Sequence, residues 1–142
     1  MTSSANELLA ALWRAADTTR GRLGAIAEDS GITFQQYMVL QILSDSGEVG
    51  LPTLEIARRM VERAPGITGL VDRLERLGLV RRQRSDADRR QIRCLLTAQG
   101  RELFTHVEAA AAAANSETIA MLTGHEVGVL RHLLGRVGRG NG

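Results

Sequence analysis

The strand-like residues of this chain are confined to one place. Leu79-Val80-Arg81-Arg82-Gln83 and Gln91-Ile92-Arg93-Cys94-Leu95-Leu96 read as two short strands around a polar loop, Arg84-Ser85-Asp86-Ala87-Asp88-Arg89-Arg90. Helical signals dominate elsewhere. One hairpin cannot cover several helices, so their apolar stripes must be buried against one another, within the chain or across a two-fold axis. The expected class is mainly α with a small β-hairpin (α+β), and the expected assembly is a homodimer.

The helical pattern is explicit. Leu8, Leu12, Ala15, Ala16, Thr19, Leu23 and Ile26 recur at three- and four-residue spacing, which predicts a first helix over about 5–29, ended by Gly31. Thr33-Phe34-Gln35-Gln36 reads as a capping box that opens a second helix bearing Tyr37, Leu40, Gln41 and Leu43, closed at Asp45-Ser46-Gly47. Pro52 suits the first position of a third helix, whose apolar side is Leu54, Ile56, Ala57 and Met60. Pro65 marks a fourth start, followed by the stripe Ile67, Leu70, Val71, Leu74 and Leu77 and closed by Gly78. Its opposite face, Pro65, Gly66, Thr68, Gly69, Asp72, Arg73 and Arg76, is small at its N-terminal end and basic further on. After the hairpin, Thr97 caps a long helix, and Thr123-Gly124-His125-Glu126 is a second capping box opening a last helix with Val127, Leu130, Leu134 and Val137 on one side. In the second strand the two-residue period puts Ile92, Cys94 and Leu96 on one face, so Cys94 either packs in the core or, among its Arg neighbours, serves as a redox thiol.

Leu, Ile, Val and Phe make up about 26% of 142 residues, enough apolar side chain for one folded domain. All 18 basic residues are Arg, against 16 acids, so the net charge of +2 says little until it is mapped along the chain. Between Arg58 and Arg93 eleven Arg face only five acids, a local balance of +6, while the remainder carries −4. A basic central module between acidic ends is the charge distribution of a chain that meets a polyanion with one face, although charge blocks can also be plain solvated surface.

Chemistry of other kinds has little support. There is no phosphate-cradling glycine loop, no nucleophile paired with a base and no His/Cys cluster, so no enzyme, cofactor or metal site is expected. Glu102 and His106 share a helical face at i, i+4, but two residues do not make a metal site, and His125 and His132 are expected to face solvent. A single cysteine, no signal peptide and no long apolar run predict a cytoplasmic protein with no membrane partner.

The order of helices, Arg- and Gly-bearing helix, basic hairpin and long helices resembles the MarR family of winged-helix transcriptional regulators. The resemblance is carried by Thr33 through Leu43, Leu54-Glu55-Ile56-Ala57, Ile67-Thr68-Gly69-Leu70-Val71-Asp72-Arg73-Leu74-Glu75, Gly78-Leu79-Val80-Arg81-Arg82, the Asp86-Ala87-Asp88-Arg89-Arg90 loop and Leu96-Thr97-Ala98-Gln99-Gly100. It implies one domain over 1–142: a winged helix-turn-helix DNA-binding lobe over 33–97, with N- and C-terminal dimerisation helices over 5–29 and 98–138. Its implied function is that of a regulator, expected to be a repressor, acting as a homodimer on a palindromic operator in double-stranded DNA. The helix over about 64–77 would enter the major groove and the hairpin would reach the minor groove.

The implied DNA contacts are Pro65, Gly66, Thr68 and Gly69 nearest the bases, Arg73 on phosphate or a guanine edge, and Arg90 in the minor groove beside Arg89. Asp88 either braces one of these arginines or simply forms the turn. Arg81, Arg82 and Arg84 are phosphate contacts, unless one or two of them pair with Glu75 or other acids. Ala64-Pro65-Gly66 stands where many relatives carry a hydroxyl or acidic residue, and Gly69 where many carry a longer side chain. The first two helices hold no cysteine, unlike the family's hydroperoxide sensors. The family's release by a small aromatic or amphipathic effector makes Trp13, Phe34, Tyr37 and Phe104 either pocket residues or core. The alternative is a winged-helix module that binds protein without specific DNA binding; steep salt dependence of DNA affinity separates the two.

Overall fold

A computed structural model describes residues 2–60 and 66–138. Among these, six helices surround one antiparallel hairpin: α1 (Thr2–Asp29), α2 (Phe34–Asp45), α3 (Thr53–Arg59), α4 (Ile67–Arg76), β1 (Val80–Arg84), β2 (Ile92–Leu96), α5 (Ala98–Ile119) and α6 (Gly124–Val137). Ala64 and Pro65 lie outside the described residues.

Local chemistry sets the boundaries. Gly31 and Gly78 take positive φ after α1 and α4, where a side chain would be strained. Both capping boxes form: the Thr33 hydroxyl accepts from the Gln36 N–H and the Gln36 side chain accepts from the Thr33 N–H, with the same exchange between Thr123 and Glu126. In the second box, the backbone hydrogen bond from Thr123 holds the Glu126 carboxyl below its ordinary range.

The core centres on α2, where Tyr37, Met38, Val39, Leu40, Ile42 and Leu43 are buried. Ala27 of α1, Ile56 of α3, Val71 and Leu74 of α4, Val80, Cys94 and Leu96 of the hairpin and Val107 of α5 join the same cluster. Cys94 is fully buried, with its sulfur 3.7 Å from the Thr53 hydroxyl. This fixes α4 from behind: its inner residues are locked in the core while its outer face stays open.

Several details differ from the sequence reading. Pro52 is the N-cap of α3 rather than its first residue, Met60 lies just past the helix, and Leu54 is exposed because α3 turns only Ile56 fully inward. Leu77 follows the end of α4 and is half-exposed. Ile92 shares a strand with Cys94 but sits near the hairpin tip, beyond the reach of the core. A third, single-residue strand was not anticipated: Leu51 and Cys94 exchange backbone hydrogen bonds of 3.0 and 2.8 Å, so β2 is paired on both sides.

The two ends of the chain contrast with this lobe. α6 buries none of its side chains, and Val129, Leu130, Leu133, Leu134 and Val137 are all substantially exposed. Leu8, Leu9 and Trp13 on α1 are exposed too.

Candidate nucleic-acid interface

α4 starts at Gly66, whose positive φ of 81° makes it a left-handed cap with no side-chain hydrogen bond to the helix. Gly66, Thr68 and Gly69 are exposed, and an added β-carbon at either glycine would meet no neighbouring atom within 4 Å. Among the described residues, nothing covers the outer surface of this first turn, whose small side chains would let a helix approach the edges of base pairs. Arg73 is exposed one turn later.

The hairpin rises beside this helix. Strand register pairs Val80 with Leu96, Arg82 with Cys94 and Arg84 with Ile92, and the Ser85 N–H continues the ladder to the Gln91 carbonyl. At the tip the Asp88 carboxylate accepts the Arg90 backbone N–H at 3.0 Å, and the Asp88 carbonyl accepts from Gln91. Asp88 is thus seen forming the turn. Arg84 donates to the Arg89 carbonyl at 3.1 Å, which stiffens the loop while Arg89 and Arg90 remain exposed. Arg81 is exposed and donates to Gln83.

Arg82 differs from its neighbours. Its guanidinium donates to Asp72 Oδ1 at 2.6 Å and to Glu75 Oε1 at 2.9 Å, and its backbone N–H donates to Glu75 Oε2 at 3.2 Å. Partial burial works against the charge, but the bond to Asp72 and the nearby Glu75 carboxylate outweigh it and hold the guanidinium above its ordinary value. Of the two alternatives read from the sequence, Arg82 adopts the internal pair. Arg93 lies outside the expected DNA contacts; its guanidinium donates to the Gly50 carbonyl at 3.0 Å and ties the hairpin to the Leu51 strand.

The four aromatic residues are not assembled into one pocket. Tyr37 stacks on Phe104 with centroids 6.0 Å apart and donates its hydroxyl to Glu108 at 3.0 Å. Trp13 is 71% exposed on α1. Phe34 is half-buried, carries the Arg20 guanidinium 4.9 Å above its ring, and lines a cleft of about 430 Å³ together with Gly21, Gly24, Leu70 and Arg73. A larger cavity of about 970 Å³ lies between the α1–α2 loop, the end of α4 and the start of α5, lined by Ile32, Leu77, Leu79 and Leu103 together with Glu102 and His106. None of the four aromatics lines it.

The family model described as MarR family matches residues 30–91, the segment that builds α2, α3, α4, β1 and the hairpin loop. A MarR transcription factor from Planctomyces limnophilus is 32% identical, with 93% of each chain covered and a TM-score of 0.67. The chain belongs to the MarR family. The HTH-type transcriptional repressor Rv2887 of Mycobacterium tuberculosis is 29% identical over 127 residues, covering 89% of this chain and 90% of that one. Its complex with p-aminosalicylic acid superposes with a TM-score of 0.71, at 27% identity and with 92% and 98% of the chains covered. CouR from Rhodococcus jostii RHA1, bound to p-coumaroyl-CoA, is 25% identical with a TM-score of 0.84 over 97% and 96% of the chains. The hairpin is accordingly the wing of a MarR-family winged helix, and the family is one of transcriptional regulators, not of enzymes.

Proposed function

We propose that this MarR-family protein is a transcriptional repressor that binds a palindromic operator as a homodimer and releases it on binding a small molecule. The observation that carries this reading is the uncovered face of α4. Its inner residues Val71 and Leu74 are locked in the core, while Gly66, Thr68, Gly69 and Arg73 face outward beside a wing tip bearing Arg84, Arg89 and Arg90. In a two-fold dimer two such helices would enter successive major grooves about 34 Å apart. Thr68 would touch a thymine methyl or a base edge, Arg73 a phosphate or guanine, and Arg90 the minor groove. Arg81 and Arg84 would neutralise phosphates. The exposed apolar residues of α1, α5 and α6 support the dimer, since no residue of α6 is fully buried within the chain.

For the effector, the cleft under Phe34 has the right size for a small aromatic molecule, and its two arginines, Arg20 and Arg73, against the single carboxylate Glu28 favour an anionic one. Two relatives bind p-aminosalicylic acid and p-coumaroyl-CoA, both aromatic and anionic. Occupation of the cleft would draw Arg73 away from DNA, which couples binding to release.

The test is to capture and sequence the fragments of its own genome that the protein retains, then to measure stoichiometry on the recovered site. A palindromic fragment bound by two chains is the expected result. Retention of no particular sequence would contradict the proposal.

A further inference from the structure

The five arginines of β1 and its loop are not equivalent. Arg81, Arg84, Arg89 and Arg90 leave their charge toward solvent, whereas Arg82 turns both ends of its guanidinium onto α4 and is only 24% exposed. Its partners, Asp72 and Glu75, lie one turn apart on the helix whose outer face is offered to DNA, and both carboxylates are close to half-exposed. Two uncompensated carboxylates there would repel a phosphate backbone. A planar fork spanning both is also a stiff joint between strand and helix, because its geometry is satisfied at one angle only. The β1 strand has no other side-chain ion pair to α4 among the described residues.

We propose that Arg82 is a positioning residue of the DNA interface: it contacts no DNA itself, but sets the angle between wing and α4 and masks Asp72 and Glu75 from the phosphates. This rests on the DNA-binding reading above. It reassigns to the protein interior a charge that the family resemblance would place on the backbone of the operator. It also explains why α4 tolerates two acids on a DNA-facing helix.

The experiment measures operator affinity against salt concentration for the wild-type chain, Arg82→Met, Asp72→Asn/Glu75→Gln, and the triple variant, with circular dichroism to verify folding. Arg82→Met is expected to weaken binding about tenfold, within the coupling range of residues sharing one ion-pair network, and by less than about twofold once both acids are neutralised. The deficit of Arg82→Met is expected to shrink as salt rises, because the repulsion between the uncovered carboxylates and phosphate is screened. A full loss that persists in the neutralised background, where no carboxylate is left to mask or bridge, would overturn the proposal and make Arg82 a phosphate contact. Should Arg82→Met fail to fold, Arg82→Lys serves instead. A point charge cannot span both carboxylates, so weakened binding is again expected, reduced to less than about twofold in the neutralised background, and wild-type affinity would overturn the positioning role. Failure of the wild-type chain to bind any operator would instead overturn the DNA-binding reading itself.

Discussion

A β-carbon at Gly100 would come within 1.9 Å of the Leu79 carbonyl oxygen, so the first turn of α5 lies directly on the backbone that leads into β1. The same carbonyl accepts from the Thr97 N–H at 3.1 Å, the Thr97 hydroxyl donates to the Gly78 carbonyl at 2.6 Å, and the Gly100 N–H donates back to that hydroxyl at 2.9 Å. The Leu-Thr-x-x-Gly signature is thus a joint between the wing and the long helix. Gly100→Ala must displace backbone rather than a side chain and is expected to destabilise the fold by about 3 kcal/mol. Urea unfolding reads this directly; a midpoint equal to wild type would contradict the close approach.

Tyr37 makes stability sensitive to alkaline pH. Burial first, then the hydrogen bond to Glu108 and that carboxylate's charge, push its phenol well above the ordinary tyrosine value. The neutral form is the one the fold favours, so its contribution is fully present below the unfolded tyrosine value near 10 and is lost as pH rises beyond it. Thermal melts from pH 8 to 11 are expected to show a decline that Tyr37→Phe flattens, at a cost of about 1 kcal/mol at neutral pH for the lost bond. Parallel declines in both proteins would remove Tyr37 as the cause.

The apolar face of α6 calls for a partner surface. Leu134→Arg is expected to shift a wild-type dimer toward monomer in sedimentation velocity, because a charge placed in an apolar interface has no compensating group. An unchanged dimer would put the interface elsewhere.

Arg90→Ala is expected to weaken operator binding by roughly 1–3 kcal/mol without loss of helicity, the scale of one specific contact. Arg73→Ala should also weaken binding. Wild-type affinity in gel shifts of either variant would place that side chain off the interface.

Much of this architecture is legible locally. Capping boxes at Thr33 and Thr123, the glycine stops at Gly31 and Gly78 and the inward-facing Cys94 all depend on neighbours within a few residues, and the structure contains each of them. What the sequence hides is long-range. The Leu51–Cys94 bridge joins residues 43 apart through backbone groups alone, which leave no side-chain signature. Arg82 and Arg90 are both arginines in a basic stretch, and only the packing of β1 on α4 turns one inward and leaves the other exposed. Phe34, Tyr37 and Phe104 divide between cleft and core for the same reason.

The most direct test of the central claim is the salt dependence of affinity for the recovered operator. A dimer that neutralises phosphates with Arg73, Arg81 and Arg84 from each chain should lose about a thousandfold or more in affinity between 50 and 200 mM salt. An affinity that stays within about threefold over that range would contradict phosphate neutralisation, and with it the assignment of the α4 face and the wing to DNA.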